Sequence, residues 1–309
     1  MKALVTGAAG FIGSHFVEMV LSGEIEGIEQ IVIVDKLTYA ANLDFLKSIV
    51  DEKNIEFHQL DINDKSGVAK LMKGIDYLIN FAAESHVDNS INSADEFIHT
   101  NLVGVQSLLD VSLDSGITKF LQVSTDEVYG SIDNGSWDEN SPLLPNSPYS
   151  ASKAGADLLC RSYFVTHKLP ITITRCSNNF GPRQHSEKLI PKIINGILNN
   201  EYLSVYGDGK NIRDWLFVKD HVSGIDLALK KGEKGEIYNI GGGRELTNLE
   251  LISEMAKIIG VANPKIKFIT DRKGHDRRYS LKFEKMAKLG YVPKYIFDEA
   301  LIYTVGKYS

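Results

Sequence analysis

The sequence predicts a doubly wound α/β fold: a parallel sheet with helices on both faces, followed by a smaller second α/β lobe. Three observations carry this. Short β-branched apolar runs alternate with longer helical patterns from the start of the chain. The runs are almost continuously apolar, as expected of strands covered on both faces. After about residue 176 the rhythm loosens into short segments around the Gly-rich turns "YGDGKN" and "IGGGRE".

In order, strands are expected at 3–6, 30–34, 56–60, 77–81, 120–124 and 171–175, with helices at 11–22, 64–72, 94–115 and 149–167. This divides the chain into a sheet domain, residues 1–175 with 216–241, and a second lobe, residues 176–215 with 242–309. The 309 residues are 43% hydrophobic and 24% charged, ordinary globular composition. A net charge of −6 argues against a nucleic-acid partner, because phosphate backbones want a basic face. No apolar run approaches bilayer length, and the start "KALVTGAAG" has no leader pattern. The two cysteines, Cys160 and Cys176, read as reduced thiols and not as a disulfide framework or metal cluster, so a cytoplasmic, metal-free protein is expected.

The first strand runs into Gly7-Ala8-Ala9-Gly10-Phe11-Ile12-Gly13, and a helix follows. Glycines at this point permit a tight turn and close approach of a pyrophosphate to backbone, and the helix N-terminus offers free N–H groups. A glycine triplet alone is weak evidence; its place in the first βαβ unit strengthens it. Asp35 ends the second strand 22 residues beyond Gly13, where a carboxylate can accept from an adenosine ribose and repel a 2′-phosphate. NAD is therefore the expected cofactor, in a Rossmann-type sheet domain. The alternative for Asp35 is a cap on the loop that follows. Asp61 and Ile62, after the third strand, are placed to meet the adenine.

Tyr149 and Lys153 lie four apart in "PYSASK", on one face of an expected helix. A phenol with a pKa near 10 is a poor base at neutral pH, and a neighbouring ammonium favours its anion. The pair suits removal of a hydroxyl proton while hydride leaves the same carbon. Chance alone would produce such a spacing in many helices; the glycine turn and Asp35 set it in context. The run "VSTDEVYG" at 123–130 poses a further question, because Asp126 and Glu127 sit side by side directly after an apolar strand. A solvated loop is the ordinary account of such a pair.

These residues resemble the extended branch of the short-chain dehydrogenase/reductase family, which acts on nucleotide sugars, and the resemblance covers essentially the whole chain. "STDEVYG", "FAAESHVDNSI" at 81–91, "RCSNNFGPRQHSEKLIP" at 175–191, "IRDWLFVKDH" at 212–221 and "DRKGHDRRYS" at 271–280 look like its dTDP-glucose 4,6-dehydratases. The resemblance implies oxidation at C4 of dTDP-glucose, loss of water across C5 and C6, and return of hydride to C6, giving dTDP-4-keto-6-deoxyglucose. Glu127 would take the C5 proton, Asp126 would protonate the departing C6 hydroxyl, and Thr125 would bond the C4 oxygen. A 4-epimerase or a decarboxylase on a UDP-sugar needs Tyr149 and Lys153 but leaves the acidic pair unexplained. The resemblance adds Ala82 to the cofactor site. It places Ser85, His86, Asn179, Lys188, Leu189, Tyr206, Arg213, Asn248, Arg272 and His275 around the nucleotide sugar. Arg277 and Arg278 read either as further phosphate ligands or as a solvated basic loop. Ser204, Lys273 and Gly306 depart from the family's usual residues. A homodimer through the helices at 94–115 and 149–167 is also implied.

Overall fold

The structure, a computed structural model, describes residues 1–308. Seven parallel strands form the main sheet: β1 (Lys2–Thr6), β2 (Gln30–Asp35), β3 (Ile55–Gln59), β4 (Tyr77–Asn80), β5 (Lys119–Thr125), β6 (Ile171–Cys176) and β10 (Ile237–Ile240). Their order across the sheet is β3-β2-β1-β4-β5-β6-β10. The chain winds outward from β1 through β2 to β3, then returns to place β4 on the other side of β1. That reversal opens a crevice at the C-terminal strand ends, where open α/β sheets take their ligands.

One face of the sheet buries α1 (Phe11–Leu21), α2 (Leu43–Ile49) and α9 (Val218–Lys231) against Val5, Ile31, Ile33 and Ile79. The other buries α3 (Lys65–Leu71), α6 (Gly104–Leu113) and α7 (Pro148–His167) against Leu4, Val32, Leu78 and Phe120. Strand residues thus alternate between two dry layers, which is why their sequences read as continuous apolar runs. Buried Lys119 is an exception with a reason. Its ammonium donates to the carbonyls of Ala228 (3.2 Å) and Gly232 (2.6 Å), closing the C-terminus of α9.

The helix expected over 94–115 is interrupted. It forms α5 (Asp95–Ile98), a wide π-turn at His99–Val103, and then α6. The extra residue of the π-turn is used by Asn101, whose amide bonds the backbone N–H and C=O of Glu84 (both 2.9 Å) and the Ser152 hydroxyl (2.9 Å). Helix α7 starts at Pro148, one residue before the expected start, on a Ser147/Ser150 capping box. Short α4 (Val87–Asn92) was not expected as a helix; His86 caps it through Nδ1.

The remaining elements pack on a separate core around Phe180, Ile193, Trp215, Leu251 and Leu301. They comprise β7 (Asn178–Phe180), β9 (Ile212–Phe217) and β11 (Glu245–Thr247) in one small sheet, and β8 (Leu203–Tyr206) and β12 (Ile266–Ile269) in another. Helices α8 (Leu189–Leu198), α10 (Asn248–Ile259) and α12 (Phe297–Val305) complete that core, whereas α11 (Glu284–Lys288) returns to the main sheet and buries Met286 in its core.

Candidate active site

Backbone geometry builds the floor of the crevice. Gly7 has φ of 66°, and a Cβ there would lie 2.6 Å from the Ala82 nitrogen. A Cβ on Gly13 would lie 2.4 Å from the Gly7 carbonyl oxygen. Neither position tolerates a side chain, so strand, turn and helix approach closely. Gly10 caps α1 with no side chain over the first-turn N–H groups, which leaves an anion cradle. Asp35 performs the loop-capping role that its position also allowed: Oδ2 accepts from Ala9 N (2.9 Å) and Oδ1 from Leu37 N (2.8 Å). Burial still pushes its pKa up against those two bonds. A narrow cavity of about 90 Å³ is lined by Gly7, Gly10, Asp35, Asp61, Ile62 and Ala82, and by Lys36, Glu84 and Thr100, which sequence reasoning missed. The cradle, the carboxylate and the slot fit a dinucleotide.

The crevice widens into a cavity of about 260 Å³ between α1 and the ends of β5 and β6. Gly7, Gly10, Phe11, Ile12, Gly13, Thr125, Asp126, Glu127, Tyr149, Lys153 and Asn179 all line it. Strand β5 runs buried to Thr125 and then tightens into a 3₁₀ turn, Asp126–Tyr129, closed by Gly130 at φ 79°. The acidic pair is therefore no solvated loop. Thr125 Oγ1 donates to Asp126 Oδ1 (3.2 Å) and accepts from Glu127 N (3.3 Å). Asp126 is 3% exposed and its Oδ2 has no partner.

The two carboxylates sit in different fields. Burial, then the charges of Glu127 and Asp214, push Asp126 well above the usual carboxylate range. Burial raises Glu127 too, but Arg213, Arg272 and Lys188 face it and oppose the rise. The two carboxyls are thus held apart in proton affinity, with Asp126 the higher. Tyr149 is buried, and burial followed by the charges of Glu127, Cys176 and Asp126 raises its phenol well above the ordinary value. Lys153 donates to the Val123 carbonyl (2.8 Å), and burial lowers its pKa while Asp157 raises it.

Glu127, Ser85 and Lys188 also line a second cavity, of about 450 Å³, towards the smaller sheets. Around it stand His86, Leu189, Tyr206, Arg213, Asn248, Arg272 and His275, so the expected substrate residues other than Thr125 and Asn179 meet here. Lys188 Nζ donates to the Ser85 carbonyl (2.7 Å). Arg213 donates to the carbonyls of Ile212 (2.8 Å) and Asp276 (3.0 Å) and lies 4.4 Å over the Tyr279 ring. Arg272 meets Asp88 at 3.5 Å, and its buried Nε has no partner. His275 pairs with Asp271 (2.7 Å).

Asn179 lines only the narrower cavity, where His221 Nδ1 meets its carbonyl oxygen at 2.9 Å. Its neighbour Asn178 lines both cavities with an unpartnered buried Oδ1, and was missed. Asp88, Glu187, Lys192 and Trp215 were missed as well. Arg277 and Arg278 stay outside, paired with Asp208 and Glu245, each at 2.7 Å. Among the described residues, no group of His, Cys, Asp and Glu is arranged to hold a metal ion.

Residues 4–303 match the model of the GDP-mannose 4,6 dehydratase family. The chain belongs to this family. A dTDP-glucose 4,6-dehydratase of Actinoplanes sp. is 51% identical to this family member, over all of this chain and 98% of the relative. The low-salt glycan biosynthesis protein Agl12 of Haloferax volcanii is 49% identical over the same shares. A crystal structure of DesIV, the dTDP-glucose 4,6-dehydratase of Streptomyces venezuelae, with NAD bound, superposes with a TM-score of 0.98 at 48% identity. That match covers all of this chain and 97% of the other. Within the 4,6-dehydratase family, the departure at Ser204 falls on the wall of the larger cavity, while Gly306 closes α12.

Proposed function

We propose that this chain converts dTDP-glucose to dTDP-4-keto-6-deoxyglucose with NAD as a regenerating cofactor. The observation that carries the proposal is Thr125-Asp126-Glu127 where the two cavities meet at Glu127, with one oxygen of Asp126 unpartnered and Glu127 faced by three cations. A 4-epimerase or decarboxylase has no use for that arrangement.

Gly7–Gly13 would hold the cofactor's diphosphate, and Asp35, Asp61 and Ile62 its adenosine end. When bound, NAD supplies a reversible two-electron acceptor and a positive charge that helps to lower the Tyr149 phenol. Tyr149 takes the proton of the C4 hydroxyl, and Lys153 holds positive charge beneath it. The hydroxyl of Thr125 turns from Asp126 to the C4 oxygen and polarises the ketone. That ketone makes the C5 proton acidic; Glu127, ionised beside Arg213, Arg272 and Lys188, removes it. Asp126, kept protonated by burial, gives its proton to the C6 hydroxyl as it leaves as water.

The diphosphate takes the unpartnered Arg272 Nε, with Arg213 and Lys188 nearby. Residues 1–175 with 216–241 carry the cofactor in this reading, and residues 176–215 with 242–309 hold the nucleotide sugar. No helix of the described residues is long and apolar enough to cross a membrane. We place the protein in the cytoplasm, consistent with two buried free thiols. Ile98, Val103, Leu113, Leu158 and Val165 lie exposed along α5, the π-turn, α6 and α7, and support a homodimer through these helices.

The test is incubation with dTDP-, UDP-, CDP- and GDP-hexoses, following the products by mass spectrometry. A 4-keto-6-deoxy product from the dTDP sugar supports the proposal, and an epimer at unchanged mass overturns it. Denatured protein should also release NAD and no NADP.

A further inference from the structure

Behind the crevice lies a buried polar network that the reaction as drawn above does not use. Asp157 follows Lys153 by one turn of α7, on the same face, and is 2% exposed. Its Oδ2 accepts from Arg175 Nε at 2.8 Å, whereas its Oδ1 is buried and accepts no hydrogen bond. Arg175, on β6 and also 2% exposed, donates from Nη1 to the Tyr129 hydroxyl at 2.8 Å, and its guanidinium lies 4.8 Å over the Tyr129 ring. The Tyr129 hydroxyl donates in turn to Asn239 Oδ1 at 2.9 Å. Tyr129 is the last residue of the turn that carries Asp126 and Glu127. One dry network therefore joins the helix of Tyr149 and Lys153 to the turn of the two acids.

A carboxylate satisfied on one oxygen only, in a dry interior, is costly unless a second positive group answers it. We propose that Asp157 is a positioning residue that holds Lys153 in its charged form, with Arg175 fixing the carboxylate in place. The inference rests on the role given to Lys153 in the proposed function. The groups around Lys153 favour it. Tyr149, Asp126, Glu127 and Cys176 line the same cavity as Lys153, and Asp157 and Cys160 follow it by one and two turns of α7. Burial lowers the ammonium, and Asp157 leads the charges that raise it. Asp126 and Glu127 face the crevice, and the two thiols are neutral, their pKa values raised by burial. Asp157, held by Arg175, is then the buried carboxylate that shares a helix face with Lys153.

The test compares Asp157→Asn, Asp157→Glu, Arg175→Gln and the double variant Asp157→Asn/Arg175→Gln. Two measurements are made as functions of pH: the rate of C4 oxidation in a single turnover, and the Cε resonance of Lys153 in ¹³C-lysine-labelled protein, assigned with Lys153→Arg. In Asp157→Asn the Lys153 titration and the alkaline limb of the rate should both move down by about one pH unit or more. That is a tenfold or greater loss of the charged form at a given alkaline pH. The double variant, which leaves no unpaired Arg175 should the single one fail to fold, should show the same shift. Asp157→Glu should restore the wild-type profile, and Arg175→Gln alone should not move it downward. Unshifted Lys153 titration in the asparagine variants, or one uniform rate loss at every pH, overturns the inference. Absence of any C4 oxidation in the wild type would instead overturn the proposed function.

Discussion

The turn after β5 and the segment before Tyr279 each place two like charges side by side, and the molecule treats them oppositely. Arg277 and Arg278 lie outside the cavities, each gripping a carboxylate through two contacts, Asp208 at 2.7 and 3.2 Å and Glu245 at 2.7 and 2.8 Å. Asp126 and Glu127 turn inward, with no cation in direct contact and one carboxylate oxygen unpartnered. The first arrangement dissipates repulsion in water and on partners. The second stores it as shifted proton affinity, which is what acid–base chemistry needs. Charges without partners, more than charges as such, mark the site.

The largest effects should come from removing groups of the inward set. Tyr149→Phe keeps the ring and removes the proton acceptor, so C4 oxidation should fall about a hundred- to ten-thousand-fold. Glu127→Gln should cost overall turnover by a similar factor through a different step. It should still oxidise C4, seen as nicotinamide absorbance, but exchange the C5 proton with heavy water very slowly. Asp126→Asn should leave C5 exchange possible and hold up departure of the C6 hydroxyl. Because the pair is coupled, the two losses need not add. C5 exchange at the wild-type rate in Glu127→Gln would place the base elsewhere and end the contrast drawn here.

The cationic side of the contrast is tested next. Arg272 has a buried Nε without a partner, whereas Arg277 gives both terminal nitrogens to Asp208. Arg272→Gln removes a charge-assisted bond to phosphate, which is about 1.5–3 kcal/mol, or roughly ten- to a hundred-fold in KM for the nucleotide sugar. Unchanged KM in this variant would mean that the diphosphate lies elsewhere in the cavity.

How far the sequence led can be judged from the same residues. The parallel sheet and its flanking helices were legible because strand and helix periodicity report burial directly, and the glycine turn reports backbone that admits no Cβ. Asp126 and Glu127 were visible as an oddity, yet only the resemblance gave them a role; their burial follows from the 3₁₀ turn that Gly130 closes. Asn178 was missed because adjacent asparagines look alike in sequence, while alternation along β7 sends one to both cavities and the other to one. Asp88, Glu187 and Trp215 were missed because they reach the cavity through the packing of separate elements, which no local pattern encodes. The π-turn escaped for a similar reason: a helix with one extra residue keeps an ordinary helical composition.

A smaller effect concerns stability. Asp126 has its pKa raised in the folded protein, so between the unfolded and folded values the native state binds the proton that the unfolded chain has lost. Stability then falls as pH rises through that window. Asp126→Asn removes this liability. Its Tm should exceed that of the wild type at pH 8, by about 2–4 °C for each kcal/mol relieved, and the advantage should fade towards pH 3. A Tm gain that is the same at both pH values would come from packing and not from the charge.

The smallest expected effect belongs to the outward pair, and it completes the contrast. The side chains of Arg277 and Asp208 are 48% and 53% exposed, so water screens their attraction despite the 2.7 Å contact. Exposed pairs of this kind contribute about 0–1 kcal/mol. Arg277→Gln should therefore change stability by no more than about 0.5 kcal/mol, as surface substitutions generally do, and should leave KM and turnover at wild-type values. Asp208 holds its carboxyl low, at about 2, chiefly through its hydrogen bond to Arg277. Without Arg277 that carboxyl should titrate nearer the ordinary aspartate value, a local change readable by NMR. If Arg277→Gln instead raised KM as Arg272→Gln does, pairing would have failed as a guide, and the outward arginines would belong to the phosphate site after all.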